Sequence, residues 1–317
     1  MPALKVSIVT NAKEDTARYT DGIFPAGCEV LLQTEQELYE QIGDIDILIP
    51  GHINVGKDLI ERASKLKLIH CGTGYNNVDL DAASKRGAYV AVTPNVAAQS
   101  VAELVFASIL TLVKKIHSFD ATMKSGGWKS TDFIDVPELK GKTMGIIGYG
   151  NIGKAVARIA RGFQMKLLAH DPNVKVDESD VEQVGLDQLL QRSDFITLHV
   201  LLNADTKHMI SEKQLGMMKP KAILVNASRG PVVDETALTA ALKQRKIGGA
   251  CLDVFEKEPL VKDSELRKLD NILLTPHIAY CANEALAGRY QFFADNCKLV
   301  VNGGVPKMAV NANKVKR

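Results

Sequence analysis

Long apolar runs are missing from this chain. No stretch approaches the ~18 consecutive apolar residues that cross a bilayer, so no membrane segment is expected. An excess of charge of one sign is missing too. The 39 Lys and Arg are balanced by 37 Asp and Glu, a formal net charge of +2, and the two signs are interspersed. Without a basic stripe there is no footprint for nucleic acid and no polybasic patch for a lipid surface. The end Lys314-Val315-Lys316-Arg317 reads as a short solvated tail. Cysteine is sparse: Cys28, Cys71, Cys251, Cys281 and Cys297 form no CxxC and no metal-ligand spacing, which predicts reduced thiols, no metal and a cytoplasmic setting. Strand-like sequence begins almost at once, with Lys5-Val6-Ser7-Ile8-Val9, so a secretory leader is not expected. No repeat of fixed period and no low-complexity tract appears. The single Trp128 falls in a loop and is expected to pack.

A composition of 46% hydrophobic and 24% charged residues is that of a globular chain with a buried core, and 317 residues suit two domains. Short β-rich runs alternate with helical patterns nearly from end to end, the mark of α/β architecture with parallel sheets. Early runs are Val6–Val9, Ile45–Ile49, Leu66–Ile69 and Tyr89–Val92; Asp79–Arg86 is a short helix stopped by Gly87, and this doubly wound unit ends near Pro94. Ser100 to about Ser118 reads as one long helix, apolar on most faces and free of Gly and Pro, hence buried on more than one side. A connecting loop follows from Lys124 to Gly141. Six further strands are expected at Met144–Ile147, Lys166–Ala169, Phe195–Leu198, Ala222–Val225, Gly249–Leu252 and Asn271–Leu274, the count of a complete dinucleotide-binding domain. A last helix runs from after Ala282 to about Val301, and the tail beyond Val305 returns to the first domain. The expected fold is therefore two doubly wound parallel-sheet domains: a smaller flavodoxin-like one, residues 1–98 with 291–317, and a Rossmann domain, residues 99–290.

Gly148-Tyr149-Gly150-Asn151-Ile152-Gly153 follows a predicted strand and opens an amphipathic helix, the context that gives a GxGxxG run its meaning. Gly148 allows the tight turn, Gly150 lets backbone approach a pyrophosphate, and Gly153 permits close helix–strand packing. The helix N-terminus then offers N–H groups and a positive dipole end to phosphate. Asp171, about 20 residues on at the end of the next strand, suits the adenosine ribose hydroxyls and would repel a 2′-phosphate, so NAD is expected rather than NADP.

Three polar residues follow later strands of the same sheet: Arg229, Glu258 and His277. Together they supply a cation, an acid and a proton carrier at the strand ends where open α/β sheets bind ligands. At this point the chain resembles the D-2-hydroxyacid dehydrogenases along essentially its whole length. The resemblance is carried by Asn226-Ala227-Ser228-Arg229-Gly230-Pro231-Val232-Val233-Asp234-Glu235, Leu252-Asp253-Val254-Phe255-Glu256-Lys257-Glu258-Pro259 and Leu274-Thr275-Pro276-His277-Ile278, with Cys71-Gly72-Thr73-Gly74-Tyr75-Asn76-Asn77-Val78-Asp79 and Ser100-Val101-Ala102-Glu103 in the first half.

That resemblance implies NAD-dependent hydride transfer to and from C2 of a small 2-keto or 2-hydroxy acid, with the first domain binding substrate. It implies His277 as general acid and base, Glu258 as its hydrogen-bond partner, and Arg229 as the binder of the substrate's carboxylate and carbonyl oxygens. Gly72, Thr73 and Gly74 would present backbone N–H groups to the carboxylate. Thr73 and Ser100 would also approach the cofactor, as would His199, Val200, Ala227, Ser228 and Asp253, beside Tyr149, Asn151 and Ile152 of the glycine turn. The remaining histidines His52, His117, His170 and His208 read as structural or solvated. A homodimer is implied as well.

Three positions depart from the family pattern: Asn76 stands for the usual Asp of the turn, Leu201 for a common Pro, and His70 where phosphoglycerate-specific members carry Arg. The last favours an unphosphorylated acid such as hydroxypyruvate or glyoxylate, with a pocket wall drawn from loops near His52, His70 and Tyr75. Two other readings share the scaffold: a short 3-phosphoglycerate dehydrogenase, and an NAD-sensing corepressor-like binding protein, whose long disordered tail is not seen here.

Overall fold

The computed structural model describes residues 3–93, 96–128 and 136–315. The chain divides into two compact units, residues 1–96 with 282–317 and residues 97–281. The return to the first unit comes ahead of residue 291, because the final helix Asn283–Val301 packs whole into that unit's core through Phe293, Cys297 and Val300. The expected end near Pro94 lies outside the described residues.

Five parallel strands build the first unit: β1 (Leu4–Val9), β2 (Cys28–Gln33), β3 (Ile47–Ile49), β4 (Leu68–His70) and β5 (Tyr89–Ala91), in the order β2-β1-β3-β4-β5. This is the flavodoxin-like order, with its switch point between β1 and β3. The central strands are buried on both faces, so they read as unbroken apolar runs rather than alternating ones. One face packs on Leu38, Leu59 and Ile60, the other on the final helix. The sheet has one strand more than the apolar runs suggested. Edge strand β2 is only half buried and carries Glu29 and Gln33, so its apolar signal is diluted. The tail returns as expected: Val310 N–H donates to Val90 O, and Val92 N–H to Met308 O, pairing the free edge of β5.

The second unit is a seven-stranded parallel sheet: β6 (Thr143–Ile147), β7 (Lys166–His170), β8 (Val181–Gln183), β9 (Phe195–Leu198), β10 (Ile223–Asn226), β11 (Gly249–Leu252) and β12 (Ile272–Leu274). Their order is β12-β11-β10-β9-β6-β7-β8, a Rossmann sheet with its switch point between β6 and β9. Again an edge strand was missed; β8 has three residues, two of them exposed and polar. Apolar cores cover both faces.

The long helix expected from Ser100 to Ser118 is two helices. Ala98–Val113 buries Val101, Ala102, Val105, Phe106 and Ile109 against the sheet. Lys115 then takes a left-handed φ of 56°, and a separate helix Ile116–Lys124 buries none of its residues. No Gly or Pro marks the break; it falls where the apolar pattern gives way to Lys114-Lys115.

Candidate active site

In a sheet whose strands all run parallel, the loops after their carboxyl ends lie along one edge, and the expected site residues of the second unit sit there. The glycine turn leaves β6. Gly148 has φ 92°, and a Cβ on it would lie 2.6 Å from His199 O and 3.1 Å from the Val200 side chain. A Cβ on Gly153 would strike Gly148 O, so the helix Asn151–Gly162 can approach the turn only with glycine there. Over Gly150, by contrast, a Cβ would meet nothing within 4 Å. That open space at the helix N-terminus has the room and the free N–H groups to cradle a pyrophosphate. Tyr149 gives the turn its main chain only: its ring is buried and its hydroxyl donates to Glu178 (2.9 Å).

Asp171 follows β7 and is held rigidly. Its Oδ2 accepts Tyr149 N–H (2.8 Å), and its Oδ1 accepts Asn173 N–H (2.8 Å) and Val174 N–H (3.1 Å). A carboxylate takes about four hydrogen bonds, so capacity is left on Oδ2 for a ribose hydroxyl. At the end of β9, burial pushes the His199 imidazole down to about 3, so the ring is neutral. Its Nε2 pairs with Thr197 Oγ1 (3.0 Å), while its shielded Nδ1 has no hydrogen-bond partner among the described residues. The open cradle, the anchored acid and this orphaned nitrogen all fit a bound dinucleotide.

The catalytic candidates converge on the loops after β10, β11 and the short β12. Asn226 shapes the first: its Oδ1 accepts Ser228 N–H (3.0 Å) and the Ser228 hydroxyl (2.8 Å), and its Nδ2 donates to Arg229 O (3.0 Å). Arg229 donates to Ser228 O (2.7 Å), and burial pulls the guanidinium below its ordinary range while the Glu258 charge opposes that shift. Glu258 Oε1 accepts Phe255 N–H (3.0 Å), which leaves Oε2 to accept from His277 Nδ1 at 2.7 Å. His277 Nε2 is then the ring nitrogen that can face a substrate. The Tyr280 ring and the imidazole stand roughly at right angles, with centroids 6.1 Å apart.

His277 sits at φ 55°, a conformation that few residues with a side chain adopt. Asp253 holds it there. The Asp253 carbonyl accepts His277 N–H (2.8 Å), and the carboxylate accepts the Thr275 hydroxyl (2.6 Å), Ile278 N–H (2.9 Å) and Ala279 N–H (2.8 Å). Ser100 adds a hydroxyl bond to Ala279 O (2.6 Å). Periodicity does not single out Asn226, and the sequence implies Asp253 and Ser100 only as cofactor neighbours. The signal for Asn226 was its place at the head of the most specific motif.

In the first unit the turn carrying Gly72, Thr73 and Gly74 follows β4, with Gly72 O accepting Thr93 N–H (2.9 Å). Asn77 Nδ2 donates to Ile53 O (2.7 Å). His70 departs from expectation. It is 0% exposed, packed between Phe292 and Phe293, with Nδ1 at Cys71 O (3.2 Å) and Nε2 accepting from Asn296 (2.8 Å). Its ring belongs to the core, and burial pushes it down to about 4.

Comparison with known proteins agrees with this architecture. The family described as D-isomer specific 2-hydroxyacid dehydrogenase, NAD binding domain, matches residues 106–279. A glyoxylate reductase of Thermococcus litoralis is 44% identical over 285 residues, 86% of either chain. The chain belongs to the D-isomer-specific 2-hydroxyacid dehydrogenases. A D-3-phosphoglycerate dehydrogenase of Methanocaldococcus jannaschii is 40% identical over 88% of this dehydrogenase, but this chain spans only 54% of that protein. The crystal structure of Aquifex aeolicus D-lactate dehydrogenase, complexed with NAD and lactic acid, superimposes with a TM-score of 0.83 at 30% identity, covering 95% of this chain and 96% of that one. The protein is thus an NAD-dependent oxidoreductase, as the fingerprint and its acid implied. Among the described residues no helix is long and apolar enough to cross a membrane.

Proposed function

We propose that this dehydrogenase reduces a small unphosphorylated 2-keto acid, glyoxylate or hydroxypyruvate, to the D-2-hydroxy acid. The observation that carries the reading is the 2.7 Å His277–Glu258 pair, with the Arg229 guanidinium near enough to feel the Glu258 charge, on the same sheet edge as the glycine cradle. The 44% identity to a glyoxylate reductase supports the choice of acid. So does position 70, where a buried His70 stands in place of the Arg that phosphoglycerate-specific members carry.

Reduced NAD, when bound, supplies the hydride that adds to C2. The protein's residues do the rest. Arg229 holds the carboxylate and the carbonyl oxygen with its planar fork, which fixes C2 for attack. Charge develops on the carbonyl oxygen, and His277 Nε2 delivers a proton to it as Nδ1 stays bonded to Glu258. The acid therefore orients the ring and stabilises its proton-loaded, positively charged form, the part a carboxylate plays beside a catalytic imidazole. Asp171 discriminates against the 2′-phosphate of NADP by like-charge repulsion. Within the first unit, the Gly72-Thr73-Gly74 turn offers backbone N–H groups of the kind that bind a carboxylate.

A homodimer goes with this reading. Ile116 and Met123 are each 51% exposed and Trp128 is 83% exposed, an apolar surface that a second copy would cover. Light scattering should give about twice 34.5 kDa. A cytoplasmic location fits five free thiols and an enzyme drawing on the NAD pool. The direct test mixes the protein and NADH with glyoxylate, hydroxypyruvate, pyruvate and phosphohydroxypyruvate and follows absorbance. The first two should be turned over fastest. Preference for phosphohydroxypyruvate would overturn the substrate assignment, and NADH binding without any turnover would overturn the reaction.

A further inference from the structure

Three loops that leave β9, β10 and β11 are laced together by side chains other than Arg229, Glu258 and His277. His208, in the first loop, takes a left-handed φ of 52°. Its backbone N–H donates to Pro231 O (2.8 Å), and its Nε2 meets Glu256 Oε1 at 2.8 Å. The same Oε1 accepts Glu235 N–H (3.2 Å), and Glu256 N–H donates back to Glu235 Oε2 (3.1 Å). Ile210 N–H to Val232 O (3.2 Å) and Asp234 N–H to Ile210 O (3.0 Å) continue the seam. Glu256 thus ties the segment after β11 to both of its neighbours.

That segment carries Glu258 two residues further on. Its course is confined from the other side too: a Cβ on Gly230 would fall on the Phe255 carbonyl and 2.5 Å from Glu256 N. With backbone packed at Gly230, Glu256 tied outward and Glu258 Oε1 bonded to Phe255 N–H, little freedom is left in where Oε2 meets His277. We infer that His208, Glu235 and Glu256 are positioning residues, a clamp that sets Glu258 and through it the orientation of the His277 ring. The inference rests on the reading of His277 and Glu258 as the proton-transfer pair.

Stability alone gives no strong reason for the cluster. His208 and Glu256 have side chains 39% and 36% exposed, and half-exposed ion pairs contribute little. Geometry gives a better one, since a misplacement of about 1 Å in a reacting group can cost about a hundredfold in rate. Among the described contacts of this unit, the groups at the His277 ring are Glu258, Tyr280 and the Asp253 carboxylate that holds its loop, with the charge of Glu258 acting on Arg229. None of them belongs to the clamp, so the clamp's effect on the ring is indirect.

The test compares His208→Ala, Glu256→Ala, Glu256→Gln and a Lys207→Ala control with the parent enzyme. Gln at 256 keeps an acceptor for His208 and for Glu235 N–H, so it is the conservative rescue. Three quantities are read: kcat and KM for the keto acid, NADH affinity by fluorescence, and the imidazole nitrogen resonances of His277 at alkaline pH without substrate. Both alanine variants should lose about tenfold in kcat with NADH affinity within about twofold. Their His277 signals should change from one tautomer, protonated at Nδ1, to an average of two. Glu256→Gln should recover to within about threefold, and Lys207→Ala should match the parent. Parent-like kcat and His277 resonances in both alanine variants would overturn the clamp. So would a kcat loss that Gln fails to restore and that comes with equal loss of NADH affinity, the mark of general unfolding. If the parent reduces none of the acids, the functional reading fails, while the His277 resonances still decide the clamp.

Discussion

Replacing Gly230 by alanine tests the geometry of the site most sharply, because the perturbation is a single methyl group. The new Cβ would sit 2.5 Å from Glu256 N and on top of the Phe255 carbonyl, whereas ordinary contacts begin near 3.4 Å. Backbone rather than a flexible side chain stands in the way, so the Phe255–Glu258 segment must retreat by roughly 1 Å or more, a displacement known to cost about a hundredfold when it moves a reacting group. A shift of that size stretches the 2.7 Å His277–Glu258 bond beyond hydrogen-bonding range. Overpacking of this kind also costs about 1–3 kcal/mol of stability. The expected outcome is a kcat/KM for the keto acid lowered about a hundredfold, a lower unfolding temperature, and NADH affinity changed only a few-fold, since the glycine cradle lies on another loop. Gly162→Ala, at the end of its helix with nothing within 4 Å, is the matched control and should leave both activity and melting unchanged or slightly improved. Initial rates, thermal melts and NADH fluorescence decide it. A Gly230→Ala enzyme within threefold of the parent and with the same melting temperature would refute the argument.

His277→Ala should abolish reduction while NADH affinity stays within a few-fold, and a collapse of NADH binding would show the side chain serving the cofactor rather than the proton. Asp171→Asn should narrow the preference for NADH over NADPH at least tenfold by removing the like charge; an unaltered ratio would mean that another group excludes the 2′-phosphate. His70 makes the first unit acid-sensitive. Its folded value of about 4 lies below the unfolded value near 6.5, so the unfolded chain binds the extra proton. The stability this group gives is complete above about pH 6.5 and is lost as pH falls toward 4, by up to about 3 kcal/mol. Urea midpoints measured from pH 7.5 to 4.5 should fall more steeply in the parent than in His70→Asn, and equal slopes would remove His70 as the cause.

Much of this protein is decided by its linear order. The alternation of buried parallel strands with helices follows from uninterrupted apolar runs such as Ile146-Ile147 and Leu224-Val225, and the glycines of the cofactor turn are fixed by what a backbone can do without a Cβ. The three motifs around Arg229, Glu258 and His277 announced a site in the same way. Edge strands β2 and β8 escaped because half their surface faces water and their apolar signal is mixed with polar residues. The break at Lys115 escaped because neither Gly nor Pro marks it. Tertiary structure alone decided what each polar residue touches. It turned His70 into the core, made Asn226 and Asp253 the supports of the loops after β10 and β12, and brought His208 to Glu256 across 48 residues of chain. The physical reason is range: propensity and periodicity act over a turn or a strand, whereas a hydrogen bond between loops exists only once the sheet has set which strand ends are neighbours.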